Sequence, residues 1–337
     1  MKNVQLVIPD LFLPQQLSAD LTAGLALPAL ETLLARANSE TLPTKSLETW
    51  LCKAFRVAED AIVPITMRAD GLEPDAFYWL SADPVYLNLQ RNQLILQMNV
   101  FLTAEEAAQF CSTLNLHFAA DGLRFYSPHP QRWYLRLDKA PEINMHPLAQ
   151  VVGMNANAYL PEGVDALRWH GVFNEIQMFL FEHAVNQARE ARGELPVNSV
   201  WLWGGGYAVE VNARPYAKVL SDSHLALAFA LAANISRQFF SVDLIADAAD
   251  AEEGEVLVVW EGLRQALRQS DLPAWRDGLQ RIENDCINPL LAALKAGHIQ
   301  QLALDVPQAG TSRRFVLTRG ALWKLWRRNR NLAHYTV

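Results

Sequence analysis

The chain has 337 residues, 51% of them hydrophobic, with 36 acids against 29 lysines and arginines and a formal net charge of −7. That length and apolar content suffice for one large α/β domain or two smaller ones with an ample core. The acidic balance excludes general nucleic-acid binding, which needs a basic face. Cys52, Cys111 and Cys286 lie far apart, are odd in number and form no C-x-x-C pair, so they read as buried thiols of a reducing compartment. The longest helix-like apolar run, residues 225–235, falls well short of the roughly 20 residues that cross a bilayer, and no membrane contact is expected. Lys2 precedes an apolar run that Pro9 and Asp10 interrupt, with no small-residue cleavage site after it. That is not the pattern of a signal peptide, and a cytoplasmic location is expected.

In chain order, residues 4–8 predict a short buried strand that ends at Pro9-Asp10 and puts Asp10 at the strand's carboxyl end, as a metal ligand, a phosphate-site acid or a cap. Helices follow over 17–37 and 46–57. The second opens at Ser46 and carries Leu47, Trp50, Leu51, Ala54 and Phe55 at helical spacing. From about residue 68 the pattern changes to short strands joined by turns. Strands over 77–81 and 85–89 flank Ala82-Asp83-Pro84, and a third covers 93–98. Thr103 caps a helix to about 115 with Glu105 and Glu106 in its first turn. Strands over 117–119, 123–126 and 133–137, with Asp121-Gly122 as a hairpin turn, complete a βαββ module.

Residues 164–191 predict one long, mostly apolar helix. Arg168, Glu175, Glu182 and Arg189 recur every seven residues with Asn186 beside them, a polar stripe that either meets solvent or lines a cleft. His183, off the stripe, reads as a hydrogen-bonded core histidine. Residues 198–206, Asn-Ser-Val-Trp-Leu-Trp-Gly-Gly-Gly, then predict a strand covered on both faces running into a three-glycine turn. Gly204, Gly205 and Gly206 make either a tight connection or a ligand site at the carboxyl edge of an α/β sheet.

Further strands are expected over 218–220, 256–260, 301–304 and 314–318. Ser221 and Asp222 are placed to cap a helix from 224 to just before 241, and another helix is expected over 275–294. Six acids between 243 and 255 read as a solvated loop. Strands that are nearly continuous in apolar residues and alternate with helices argue an α/β fold with a parallel sheet covered on both faces. The segment 313–330 carries seven cations and no acid and predicts a terminal helix with Trp323 and Trp326 on one face. Its tryptophans either dock on the core, or the segment forms a contact surface for an acidic protein or a phosphate-bearing small molecule.

The motif search is mostly negative. There is no G-x-G-x-x-G, no P-loop, no G-x-S-x-G elbow and no H-E-x-x-H. What remains are acids at strand ends, Asp10, Glu261 and Asp305. Without histidines they make a poor zinc site, whereas oxygen ligands suit magnesium or manganese.

Several stretches, in order, resemble the cofactor-independent phosphoglycerate mutases of the archaeal type, in the alkaline phosphatase superfamily. They are closer still to shorter bacterial proteins labelled phosphoglycerate mutase or RpfE-type regulatory protein. Residues 6–10 look like the first metal strand, Asn174-Glu175 and His183 to Arg189 like the connecting helix, and 198–206 like a Trp-x-Trp-Gly-x-Gly strand and turn. Residues 256–261, followed by Ile282-Glu283 and Pro289-Leu290-Leu291, look like the segment after the catalytic acids, and 302–307 like the last metal strand. Arg132-Trp133-Tyr134-Leu135 resembles the domain that closes over substrate.

The resemblance implies an alkaline-phosphatase-like core, assigned to residues 1–67 and 161–337, around a βαββ insertion at 68–160. It also implies a serine nucleophile and two divalent metals held by Asp and His. This sequence departs from that pattern. Glu261-Gly-Leu-Arg264 stands where Asp-x-x-Gly-His belongs, Val306 follows Asp305 where a histidine belongs, and no serine between Asp10 and the insertion takes the nucleophile's place. The candidate pocket is Asp10, Glu182, Asn186, Arg189, Trp203, Gly204, Gly205, Gly206, Glu261 and Asp305, with Asp10 and Asp305 the only candidate metal ligands. The expectation is a non-catalytic binding or regulatory protein with no cofactor. The alternatives are an active mutase or phosphatase using manganese or magnesium, and an interaction protein that uses its basic C-terminal segment.

Overall fold

A computed structural model describes residues 3–44, 46–240, 254–269, 271–308, 311–324 and 326–335. Among them the strands are β1 (Asn3–Val7), β2 (Asn38–Leu42), β3 (Tyr78–Gln90), β4 (Gln93–Gln97), β5 (Arg124–His129), β6 (Arg132–Leu137), β7 (Ile143–Asn144), β8 (Glu162–Gly163), β9 (Ser199–Gly206), β10 (Lys218–Ser221), β11 (Ser236–Phe239), β12 (Glu255–Val259), β13 (Gln301–Val306) and β14 (Ser312–Thr318). The chain divides into two compact units, Met1–Val57 with Glu210–Val337, and Ala58–Val209. The acidic run expected to form a solvated loop lies, from residue 243 to 253, outside the described residues.

The first unit is built on a seven-stranded sheet of order β11-β10-β12-β1-β13-β14-β2. The five strands from β11 to β13 are parallel, and β14 and β2 add antiparallel to one edge. The expected α/β class and mainly parallel sheet are therefore found. Side chains alternate across it. Val4 and Leu6 of β1 join Val256, Val258, Leu302 and Leu304 against Leu30, Trp275, Leu279 and Leu290 from the helices Pro28–Arg36, Leu272–Ile282 and Asn288–Ala296. Gln5 turns to the other face, where the helix Leu47–Phe55 brings Trp50, and Phe55 packs on Phe229 of His224–Ala232 with ring centroids 5.3 Å apart.

Local chemistry explains where the predicted elements changed. The helix expected over 17–37 is two, Gln15–Thr22 and Pro28–Arg36, because Gly24 takes φ +73° and Pro28 opens the second. Ser46 caps Leu47–Phe55 in a reciprocal box with Thr49. Ser223, rather than Ser221 or Asp222, caps His224–Ala232, and that helix stops short to give β11. The helix expected at 275–294 runs from Leu272 to Ala296 through a π-helical turn at Glu283–Ile287. No terminal helix forms among the described residues: after β14 the chain makes a 3₁₀ turn, Arg319–Trp323, with Gly320 inside it.

The second unit holds a sheet of order β4-β3-β6-β5, with β9 also pairing antiparallel with β3. This corrects two expectations. The stretch 198–206 is not part of the parallel sheet, and the insertion is wider than 68–160, since β9 pairs Ser81 with Trp203 and Val85 with Ser199. The apolar run misled because burial on both faces is real in either setting: Val200 and Leu202 face one cluster and Trp201 the other. The strands expected on either side of Asp83-Pro84 are one strand. Pro84 pairs with Val200 of β9 and lies outside the residues that pair with β6 and with β4, so its missing N–H takes no bond from either of those two ladders. Residues 118–121 form a 3₁₀ turn rather than strand, and the hairpin turn lies at Pro130-Gln131. The long helix is broken into Ala166–Phe181 and Ala184–Ala191, with the His183 ring accepting the Val185 N–H as a cap. Among the described residues no helix is long and apolar enough to cross a membrane.

Candidate functional site

The carboxyl edge of the parallel sheet in the first unit gathers acids from four elements. Asp10 follows β1 in the left-handed region, at φ 57°. Asp222 follows β10, Glu261 follows β12, and Glu48 comes from the first turn of Leu47–Phe55. One cation answers three of them. Arg264, in the helix Gly262–Arg268, donates from Nε to Asp10 Oδ2 at 3.0 Å, and from Nη1 to Glu48 Oε1 at 3.0 Å and Glu261 Oε1 at 3.2 Å. Its side chain is 5% exposed, and that of Glu48 8%.

Burial works against the charges of Glu48 and Arg264, and their opposite signs keep both ionised. Burial pushes the Glu48 carboxyl up, but the Arg264 and Arg268 guanidinium groups and local hydrogen bonds outweigh it and hold the group below the usual range. Desolvation likewise works against the Arg264 charge, and Glu48, Glu261 and Asp10 more than restore it. Glu48 Oε2 is buried without a hydrogen-bond partner among the described residues. Asp222 Oδ1 accepts the Glu261 N–H at 2.6 Å. Burial, with the Glu261 charge adding to it against backbone hydrogen bonds, pushes the Asp222 carboxyl up to about 6.

Asp305 lies on β13 beside β1 and is fully buried. Its carboxylate is saturated. Arg314 donates to both oxygens at 2.7 and 2.6 Å, and Oδ2 also accepts from Gln5 Nε2 at 2.9 Å and Trp50 Nε1 at 2.7 Å. Two-metal phosphoryl transfer needs oxygen and nitrogen donors free to surround both ions. Here each of the strand-end acids Asp10, Glu261 and Asp305 faces a guanidinium, histidine is missing from the cluster, and the described residues hold no group of three or more His, Cys, Asp or Glu placed to bind a metal. These residues do not fit a divalent ion.

Of the residues expected in one pocket, the structure joins Asp10 and Glu261 through Arg264 and ties Asp305 to a separate pair. The others belong to the second unit and have structural partners there. Trp203 donates to Asp83 Oδ2 at 2.6 Å. Asn186 bridges Leu180 and Val197. Arg189 is buried against Glu106 and the Leu195 carbonyl. Glu182 is exposed beyond the end of Ala166–Phe181, so the heptad stripe is not one continuous face. His183 is half-buried and hydrogen-bonded to Thr113, with its pKa lowered by burial.

The expected three-glycine turn is instead the end of β9, with Gly206 paired to Trp79, and it is tightly packed. A Cβ on Gly204 would stand 2.7 Å from Val63, and one on Gly206 would collide with the Asp60 carbonyl oxygen. Reading the sequence missed Arg264, Glu48 and Asp222. Glu261 and Arg264 at i, i+3 just after a buried strand were the available signal.

No family model matches the chain. Among curated proteins it is 30% identical over 109 residues to the 2,3-bisphosphoglycerate-independent phosphoglycerate mutase of Methanosarcina acetivorans, covering 32% of this chain and 28% of that one. It is 28% identical over 114 residues to that of Methanosarcina mazei, covering 33% and 29%. The matched stretch thus spans less than a third of these relatives' length. Among solved structures, a Pyrococcus horikoshii protein superposes with a TM-score of 0.59 at 10% identity, over 99% of this chain and 92% of that one, a likeness of fold. The cofactor-independent phosphoglycerate mutase of Thermoplasma acidophilum gives a TM-score of 0.48 at 14% identity, over 100% and 95%. By its partial sequence match, the chain is phosphoglycerate-mutase-like.

Proposed function

We propose that this phosphoglycerate-mutase-like protein has a degenerate metal site and serves as a non-catalytic binding or regulatory protein of the cytoplasm. The observation that carries the reading is the Arg264 guanidinium seated among Asp10, Glu48 and Glu261. A fixed cation answers the charge of carboxylates that a catalytic ion would otherwise need as ligands, and it offers no open coordination position and no activated water. Arg314 has the same relation to Asp305. Without ligands for two ions, and with no serine assigned as nucleophile, the terms that lower the barrier to in-line phosphoryl transfer are gone. The protein supplied with manganese or magnesium is expected to leave 3-phosphoglycerate unchanged in a coupled assay for 2-phosphoglycerate. Manganese-dependent conversion that disappears in Asp10→Asn would overturn the reading.

A further inference from the structure

The first unit carries a second polar feature, built from segments the strand-edge acids do not use. A cavity of about 550 Å³ is lined by Arg36, Lys295, Arg319, Gly320, Leu322 and Trp323. It holds three cations, one indole and no acid. Its volume is in the range of small-molecule sites.

The surrounding chain fixes these groups in place. Ala321 and Leu322 are buried and anchor the 3₁₀ turn, yet Trp323, the next residue, is 76% exposed. Arg36 Nη1 donates to the Leu322 carbonyl at 2.6 Å, while its Nε is buried with no hydrogen-bond partner among the described residues. Arg319 reaches back over Gly297, where a Cβ would stand 3.0 Å from Nη1, so the absence of a side chain there makes room for the guanidinium.

Neighbouring cations are occupied by the fold. Arg314 holds Asp305, Arg313 lies on the Phe315 ring and donates to the Tyr335 carbonyl, and Arg327 donates to the Ala37 carbonyl. Lys295 and Arg319 have no acidic partner among the described residues. In a chain of net charge −7, three cations facing one cavity with no acid in its lining concentrate anions there.

From this we infer that the cavity binds a small aromatic anion with the chemistry of a mononucleotide, its base stacked on Trp323 and its phosphate held by Arg319, Lys295 and Arg36. An indole left in water beside guanidinium groups offers a π-face for a base and planar donors for phosphate oxygens. Phosphate alone would use only the cations, and a nucleoside only the indole. The site is independent of Arg264, so it stands or falls separately from the loss of mutase activity.

The test is isothermal titration of the full chain with AMP, adenosine and inorganic phosphate, each at two salt concentrations. AMP is expected to bind, at least tenfold more tightly than either fragment and more weakly at higher salt. Trp323→Ala is expected to weaken AMP about 5- to 100-fold, in line with base stacking on an aromatic side chain. Arg319→Ala should weaken AMP and phosphate alike, and both variants should keep the wild-type melting temperature, since Trp323 and Arg319 are exposed and Arg319 has no acidic partner among the described residues. No AMP binding at millimolar concentration, phosphate binding as tight as AMP, or AMP binding unaltered in the Trp323→Ala, Arg319→Ala double variant would each overturn the assignment. Binding restricted to an acidic peptide would do so too.

Discussion

At the scale of residues, the chemistry of this protein is set by how buried charges are matched. Arg264 pairs with three carboxylates, of which Glu48 is buried and Asp10 and Glu261 are partly exposed. Arg264→Met keeps the volume and removes the charge, and such a break in a buried ion cluster costs about 3 to 5 kcal/mol. The loss should appear in urea titrations at pH 7.5 and shrink toward pH 4.5 as the buried Glu48, without its cation, takes up a proton; an equal loss at both pH values would show that Arg264 acts by packing alone. Asp222 titrates in the opposite sense. Its folded-state pKa, about 6, lies above its ordinary value of 3.8, so the folded form holds a proton that the unfolded chain has released. Its contribution to stability is present below about pH 4 and is lost as pH rises through about 6. Asp222→Asn keeps an acceptor for the Glu261 N–H and removes the charge beside Glu261, so it should stabilise the protein by about 1 to 3 kcal/mol at pH 8 and by almost nothing at pH 4. A variant less stable than wild type at pH 8 would contradict the assignment.

At the scale of elements, periodicity located most strands and helices but not their partners. The strands over 256–260 and 301–304 were legible because continuous apolar runs of that length fit a covered parallel sheet. The same pattern in 198–206 gave the right strand and the wrong sheet, since a strand buried on both faces carries no mark of its neighbour's direction. Breaks were harder to see. The Glu182-His183 interruption has neither Gly nor Pro, and only the histidine cap marks it. The expected C-terminal helix fails where Gly320 enters a segment whose charges are all of one sign and so form no i, i+4 pair. Arg264 was visible as a residue, but its role was not, because the three acids it meets are brought to it by three different elements. The glycine end of β9 makes a direct test: Gly206→Ala drives a Cβ into the Asp60 backbone, and a loss of more than about 3 kcal/mol, or failure to fold, is expected in chemical denaturation. A well-folded Gly206→Ala protein would reopen the three glycines as a ligand site.

At the scale of the whole molecule, the chain has an α/β core and an insertion, resembles phosphoglycerate mutases over about a third of its length, and sets its own arginines against the strand-end acids. On the proposed reading, the cation facing the acids of the carboxyl edge is the chain's own Arg264 and not an exchangeable ion. The account therefore turns on whether Arg264 is what keeps a divalent ion out. The most direct measurement is manganese binding, followed by electron paramagnetic resonance, to the wild-type chain and to Arg264→Ser at pH 7.5. No stoichiometric binding to the wild type is expected, with binding gained in Arg264→Ser and lost again when Asp10→Asn is added. Stoichiometric manganese on the wild-type protein that Asp10→Asn abolishes would contradict it.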